Sequence, residues 1–242
     1  MCTTGYLKDL GLIFKNRDKP NEISEEIVHG EKTIFGRQKG ASYYSWGVNK
    51  SGCAFVSTAV NTPEWTSLVY AGKLKEADRQ LEKENKDLLT PMKEISEMLS
   101  QVKNRYEWID RLSNSSSVFM GYNIILADSK GADVVEVHRK KRFVNKLSDR
   151  DVVTNHFKSI SHGAQSFSDY PSSFNRHSYA LPRIQKIKTI DELKSIMCPI
   201  TNDERKLIWR KGSFQTISSS ILDFTNYRVF YSIGSNYERI LF

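Results

Sequence analysis

Four stretches of the chain share one signature. Short apolar runs alternate with polar residues and are divided by tight turns, the pattern of β-hairpins. The clearest is YYSWGVNKSGCAFVSTAVN (residues 43–61). There an aromatic run and a β-branched run flank Asn49-Lys50-Ser51-Gly52, and Gly52 accepts the positive φ such a turn needs. Near the start, residues 2–14 alternate toward a strand ending in GLIF, followed by a polar turn KNRDKPN at 15–21. Residues 116–157 contain three strand-like runs with turns at DSKG and RKK, and residues 214–234 offer another hairpin around TNY. Between these blocks the texture becomes helical. From Ala71 to Leu112, long polar residues carry Leu, Ile and Met at helical spacing, with a break at Thr90-Pro91 that suits Pro91 to the first turn of a second helix. SSFNRHSYALPRIQKI and TIDELKSIMC also read as helices, the second capped by Thr189 with acidic residues in its first turn. Hairpin connections with helices in separate blocks imply antiparallel sheets covered by helices, an α+β arrangement.

No Pro/Gly/Ser-rich linker divides the 242 residues, so a single domain over 1–242 with a helical insert at about 71–112 is expected. A hydrophobic content of 39% and a mean hydropathy of −0.50 fit a globular chain. No apolar run approaches the roughly 18 residues of a membrane span, and no secretory signal opens the sequence. Three cysteines without paired spacing argue against a disulfide framework, so the expected location is cytoplasmic. The net charge of +8 invites a nucleic-acid reading. Its densest basic run, HRKKRF (138–143), crowns a hairpin, however, and the charges of 73–111 alternate in sign like a solvated helix face. No specific nucleic-acid motif is present. The five histidines form no HExxH, no CxxC exists, and Walker, GxGxxG and GxSxG motifs are absent, so no metal or cofactor is expected.

The chemistry-bearing feature is Cys2. A start methionine before so small a residue is normally trimmed, which would leave a thiol and a free α-amine on one residue. Their ordinary pKa values, about 8.5 and 7.7–8.0, place both near titration at neutral pH, so the amine can take the thiol proton. A nearby guanidinium would favour the thiolate and a carboxylate would hold the amine. Arg17 and Asp18 supply both, at the far end of one short hairpin from Cys2.

MCTT followed by a strand and NRD resembles the cysteine branch of the N-terminal nucleophile hydrolases, which includes choloylglycine hydrolases, penicillin acylases and acyl-CoA:6-aminopenicillanate acyltransferase-like proteins. WGVNKSGCAFVSTAVN is similar to that family's GVNEKGLAV…LN hairpin and places Asn61. VVTNHF matches its TNH motif and places Asn155, and SSFNRHSYALPRI resembles its Ser-x-x-x-Arg helix start and places Arg176. The matches run in family order from residue 2 to about residue 234. Many relatives carry RNxD, with arginine one residue ahead of asparagine, whereas this chain has NRD, an order also similar to Cys-starting proteins with an NRDE signature.

The resemblance implies a four-layer αββα sandwich and a cysteine amidohydrolase that cleaves a linear, non-peptide C–N bond of a small acyl-amide through a thioester on Cys2. It implies that Arg17 tunes the thiolate, that Asp18 bonds the α-amine, that Asn61 and Asn155 donate to the oxyanion, and that Arg176 completes the polar site. Bland readings stand beside these: an Arg17–Asp18 pair, strand-end asparagines, a surface arginine at a helix start. Alternation would turn His156 away from Asn155, and Cys53 and Cys198 read as buried small hydrophobes. Acyl transfer to an amine shares the first half-reaction and stays open. So do a non-catalytic scaffold or basic polyanion binder, and the oligomeric state.

Overall fold

The computed structural model describes residues 2–20, 23–41, 43–60, 62, 83–84, 91–161, 170–198, 214–233 and 236–241. Asn61, His162 and most of the 71–90 stretch lie outside the described residues. Thirteen strands are described: β1 (Cys2–Leu7), β2 (Leu12–Pro20), β3 (Glu25–His29), β4 (Thr33–Gln38), β5 (Trp46–Asn49), β6 (Ala54–Ala59), β7 (Phe119–Asp128), β8 (Gly131–Arg139), β9 (Lys141–Lys146), β10 (Arg150–Val153), β11 (Phe214–Asp223), β12 (Arg228–Ser232) and β13 (Glu238–Leu241). The described helices of eight residues or more are α1 (Pro91–Leu99), α2 (Arg105–Asn114), α3 (Pro171–Ile184) and α4 (Ile190–Met197).

The strands form two antiparallel sheets. One has six strands in the order β10-β1-β2-β11-β12-β13; the other is a seven-stranded meander running from β3 to β9. Hydrophobic alternation divides the chain among three packed interfaces. Tyr6, Ile13, Trp46, Val48, Val56 and Ile125 meet between the sheets. Met92, Ile95, Leu99, Trp108 and Leu112 cover the outer face of the seven-stranded sheet. Ala180, Ile184, Leu193 and Met197 cover that of the six-stranded sheet against Leu7, Phe14 and Val152. The result is four layers, αββα. Trp108 stands edge-on to Phe55 at 5.4 Å, a contact worth about 0.5–1.5 kcal/mol beyond its area.

Local chemistry explains most boundaries. Thr189 accepts from the Glu192 N–H at 3.2 Å and starts α4, Pro91 opens α1, and Gly52 turns the β5–β6 hairpin at a φ of 80°. Two expectations are corrected. KNRDKPN is not a turn: residues 15–20 continue β2, and the chain reverses earlier, at Lys8–Gly11, where Gly11 has a φ of 63° and donates to the Lys8 carbonyl at 3.0 Å. These charged residues hold a strand because β2 is paired on both sides, by β1 and β11. The block at 116–157 holds four strands rather than three, and the β3–β4 hairpin has no counterpart in the sequence reading.

Candidate active site

Cys2 begins β1, which lies between β10 and β2 in the six-stranded sheet, opposite Arg17 on β2, with Thr4 opposite Lys15. Direct partners in an antiparallel pair share a face, so Cys2, Lys15 and Arg17 all point toward the second sheet. Cys2 is 7% exposed, and Lys15, Arg17 and Asp18 are buried.

The start of β1 is clamped from behind. Past Val153 the chain leaves β10, and Asn123 of β7 donates to the carbonyls of Thr154 (2.9 Å) and His156 (2.8 Å), fixing the segment between them. Asn155 there accepts the Cys2 N–H at its Oδ1 (2.9 Å) and donates from Nδ2 to the Ala59 carbonyl (2.5 Å). Its own N–H donates to Ser173 Oγ (2.8 Å) at the start of α3. Arg176, one turn further along α3, is fully buried. It donates to the Cys2 carbonyl, to Thr3 Oγ1 (3.0 Å) and to Asn155 Oδ1 (2.7 Å). The surface reading of Arg176 is thereby excluded.

Asp18 lies on the same strand and accepts from Thr216 Oγ1 at 2.8 Å. The Cys2 nitrogen, a peptide N–H while Met1 is attached, donates to Asn155 Oδ1, and the carboxylate that holds Arg17 is Glu25. Its Nη1 binds Glu25 Oε1 at 2.6 Å and Ser45 Oγ at 3.2 Å. Glu25 also accepts from Ser45 Oγ (3.0 Å) and from Ser218 Oγ. A β-bulge between Thr216 and Ser218 lets two residues of β11 that would otherwise share a face serve Asp18 and Glu25 separately. Burial opposes ionisation of Glu25, but Arg17, Ser218 and Lys15 together hold its carboxyl below the usual range.

Lys15 is the residue that sequence reasoning passed over. Its Nζ donates to the carbonyls of Ser57 (2.5 Å) and Ser45 (3.2 Å), and among the described residues it has no carboxylate partner. Burial pulls its ammonium down, and Arg17 adds to that, while Cys2 pushes it back up. At the Cys2 thiol, burial works upward, yet Lys15 leads the charges that outweigh it, with the N-terminal ammonium next, Asp18 opposing and Arg17 adding. The thiol ends below its ordinary range. Burial pushes Cys53 up to about 12 and also raises Cys198. The missed signal is positional: Lys15 stands one residue ahead of Asn16, where RNxD relatives carry arginine, and it alternates with Ile13 and Arg17 onto one face of β2.

His156 points away from this cluster. Its Nδ1 lies 2.9 Å from Ser173 Oγ, its ring stacks on Phe174 at 3.9 Å, and burial with His177 beside it lowers its pKa to about 4. A neutral imidazole packed so serves the wall of the site. Among the described residues no group of three or more His, Cys, Asp or Glu is placed to hold a metal ion, and no helix is long and apolar enough to cross a membrane.

No protein-family model matches the chain, and no curated protein matches it in sequence. By structure it is similar to a mutant of the conjugated bile acid hydrolase from Clostridium perfringens, at 12% identity and a TM-score of 0.57, over 99% of this chain and 92% of that one. It is also similar to the Caenorhabditis elegans ortholog of N-acylethanolamine-hydrolyzing acid amidase, at 11% identity and a TM-score of 0.61, over 93% of each chain. Likeness at these identities is one of fold, and it extends over nearly the whole length: the chain has the αββα fold of these two hydrolases.

Proposed function

We propose that the protein is a cysteine amidohydrolase acting on a linear, non-peptide amide through Cys2 once Met1 is removed. The observation that carries this reading is the contrast among three cysteines. Only Cys2 sits at a clamped strand start beside a buried lysine that pulls its thiol down, while Cys53 and Cys198 are pushed up.

Trimming Met1 would turn the Cys2 nitrogen from a peptide N–H into an amine, with Asn155 Oδ1 already accepting one proton. Asp18 is the proposed second acceptor. The amine takes the thiol proton, directly or through a water, and the thiolate attacks the amide carbonyl. The tetrahedral intermediate collapses to a thioester as the protonated amine gives its proton to the leaving nitrogen. Water, deprotonated by the same amine, then releases the acid and restores the thiol. Asn61 is proposed as an oxyanion donor; losing one such donor costs about 100- to 1000-fold in rate. Asn155 has its Nδ2 on Ala59, so its proposed role is to orient the amine, with Arg176 behind it. Lys15 is proposed as the cation that sustains the thiolate, and Arg17 as a positioning residue through Glu25.

The fold shared with an amidase and a hydrolase supports this class of reaction. Acyl transfer uses the same thioester. Mixing the Met1-free protein with a panel of acyl amides and recording intact mass tests both: a transient adduct on Cys2 is expected, and its loss as acid or as new amide on adding a free amine separates hydrolase from transferase. A panel that turns over without any Cys2 adduct, in a variant lacking the thiol, would contradict the reading.

A further inference from the structure

Behind Asn155 runs a chain of buried polar contacts with no part in bond making. Ser173 Oγ accepts the Asn155 N–H at 2.8 Å, and His156 Nδ1 lies 2.9 Å from the same oxygen. Thr154 Oγ1 donates to the Ser173 carbonyl at 3.1 Å, which commits the one proton it has. Ser173 has one hydroxyl proton of its own, and His156 Nδ1 is a nearer acceptor for it than Thr154 Oγ1 at 3.1 Å. Thr154, Asn155, His156 and Ser173 are all buried, so these groups depend on one another rather than on bulk water. The imidazole is held neutral: burial leads, and His177, Lys158 and Arg176 add to it. The other charged groups nearby are Glu136, which shares a small cavity with His156 and His177, and Asp151, which acts on His177. Glu136 is committed to the N–H groups of Lys158, Ser159 and Ile160.

We propose that His156 is a positioning residue for the Cys2 amine, acting through Ser173 and Asn155. Neutral, its Nδ1 takes the Ser173 hydroxyl proton and thereby turns an oxygen lone pair onto the Asn155 N–H. That contact holds Asn155 with its Oδ1 on the Cys2 nitrogen, 2.9 Å away. Hydrogen bonds in such a chain polarise one another, so losing the last link weakens the first. The inference rests on Cys2 being the nucleophile. A second ring proton would occupy Nδ1, leave Ser173 without its acceptor and set a cation beside Arg176. The clamp is therefore complete above the folded-state pKa of the ring and loosens as pH falls through it.

The test is the rate of iodoacetamide labelling at Cys2 of the Met1-free protein near neutral pH, followed by peptide mapping beside thermal melts. His156→Phe keeps a stacked ring and removes the acceptor, and is expected to slow labelling about tenfold, the worth of one buried hydrogen bond. His156→Gln offers its Oε1 to the hydroxyl proton and is expected to stay within about twofold of the wild type. Ser173→Ala should match His156→Phe, and the double variant should be no slower than either, because both changes break the same relay. Wild-type rates in His156→Phe, or losses that add in the double variant, overturn the relay and leave the nucleophile in place. A His156→Gln variant as slow as His156→Phe assigns the effect to packing and overturns it too. No labelling of Cys2 in the wild type removes the nucleophile and the relay together. Should His156→Phe fail to fold, the wild type carries the test by NMR. As pH falls toward about 4, the Asn155 amide proton should shift together with the His156 ring signals. An Asn155 resonance blind to that titration overturns the proposal.

Discussion

Two buried charge clusters sit at opposite ends of β1, and they are compensated in opposite ways. At the end marked by Tyr6, Arg105 is enclosed by two carboxylates. Its Nη1 and N–H bind Asp128 (2.6 and 3.0 Å), its Nε binds Asp133 (2.7 Å), and Tyr106 takes Nη2 at 2.7 Å. At the Cys2 end, three cations, Lys15, Arg17 and Lys19, stand on β2, and among the described residues Glu25, bonded to Arg17, is the one carboxylate partner of any of them. The first cluster is closed, with every nitrogen of Arg105 on an acceptor, and it ties α2 to the β7–β8 hairpin. The second leaves positive charge over, directed at a thiol. Buried ions made for stability close on themselves; those made for chemistry leave a charge for the reacting group.

That contrast is open to breakage at either end. Cys2→Ala should reduce turnover by on the order of 10³-fold or more with the fold intact, because no other described group replaces the thiol; activity assays beside thermal melts check both parts. Arg105→Met should cost about 3–5 kcal/mol of stability by stranding two buried carboxylates, yet leave Cys2 alkylation unchanged. A denaturant titration paired with labelling would show it, and a fall in Cys2 reactivity would blur the distinction between the clusters.

The wall of the site supplies a pH dependence. The folded-state pKa of His156, about 4, lies below the unfolded value near 6.5, so the unfolded chain binds the extra proton between them. Stability is therefore full above about pH 6.5 and falls as pH drops toward 4, by about 3 kcal/mol across that window. His177 is shifted in the same direction by burial and by Lys158. His156→Gln should flatten the acid side of a pH–stability curve. The smallest effect belongs to Lys15→Met, which should slow alkylation of Cys2 at pH 7 by about tenfold by letting its thiol rise. A stability loss without a change in thiol reactivity would place Lys15 with Arg105 instead.

Hairpins with ordinary turn chemistry were legible in the sequence, as at Gly52, and so were helices whose ends carry their own signals, Pro91 and Thr189. Cys2 was legible because its position is itself chemical. What stayed hidden was a strand whose buried face is charged. Lys15, Arg17 and Lys19 read as a turn because a charged strand interior is stable only when acceptors arrive from elsewhere, here Ser45, Ser57 and Glu25, up to 42 residues away in sequence. Their period of two was present, but Ile13 ahead of them is its one apolar member on β2. Asn155 was found by motif, but its contacts to Cys2 N and Ala59 O depend on the spacing between sheets that no local pattern encodes.

The central claim is that the clamp and the uncompensated lysine make Cys2 the reactive thiol of this chain. Its most direct test is the pH–rate profile of iodoacetamide labelling for all three cysteines, by peptide mapping of the native Met1-free protein. The account predicts that Cys2 labels first, that its rate levels off below the ordinary thiol range, and that Cys53 and Cys198 stay silent until the protein unfolds. Labelling of Cys53 or Cys198 ahead of Cys2, or a Cys2 profile that rises only where an ordinary thiol ionises, would contradict it.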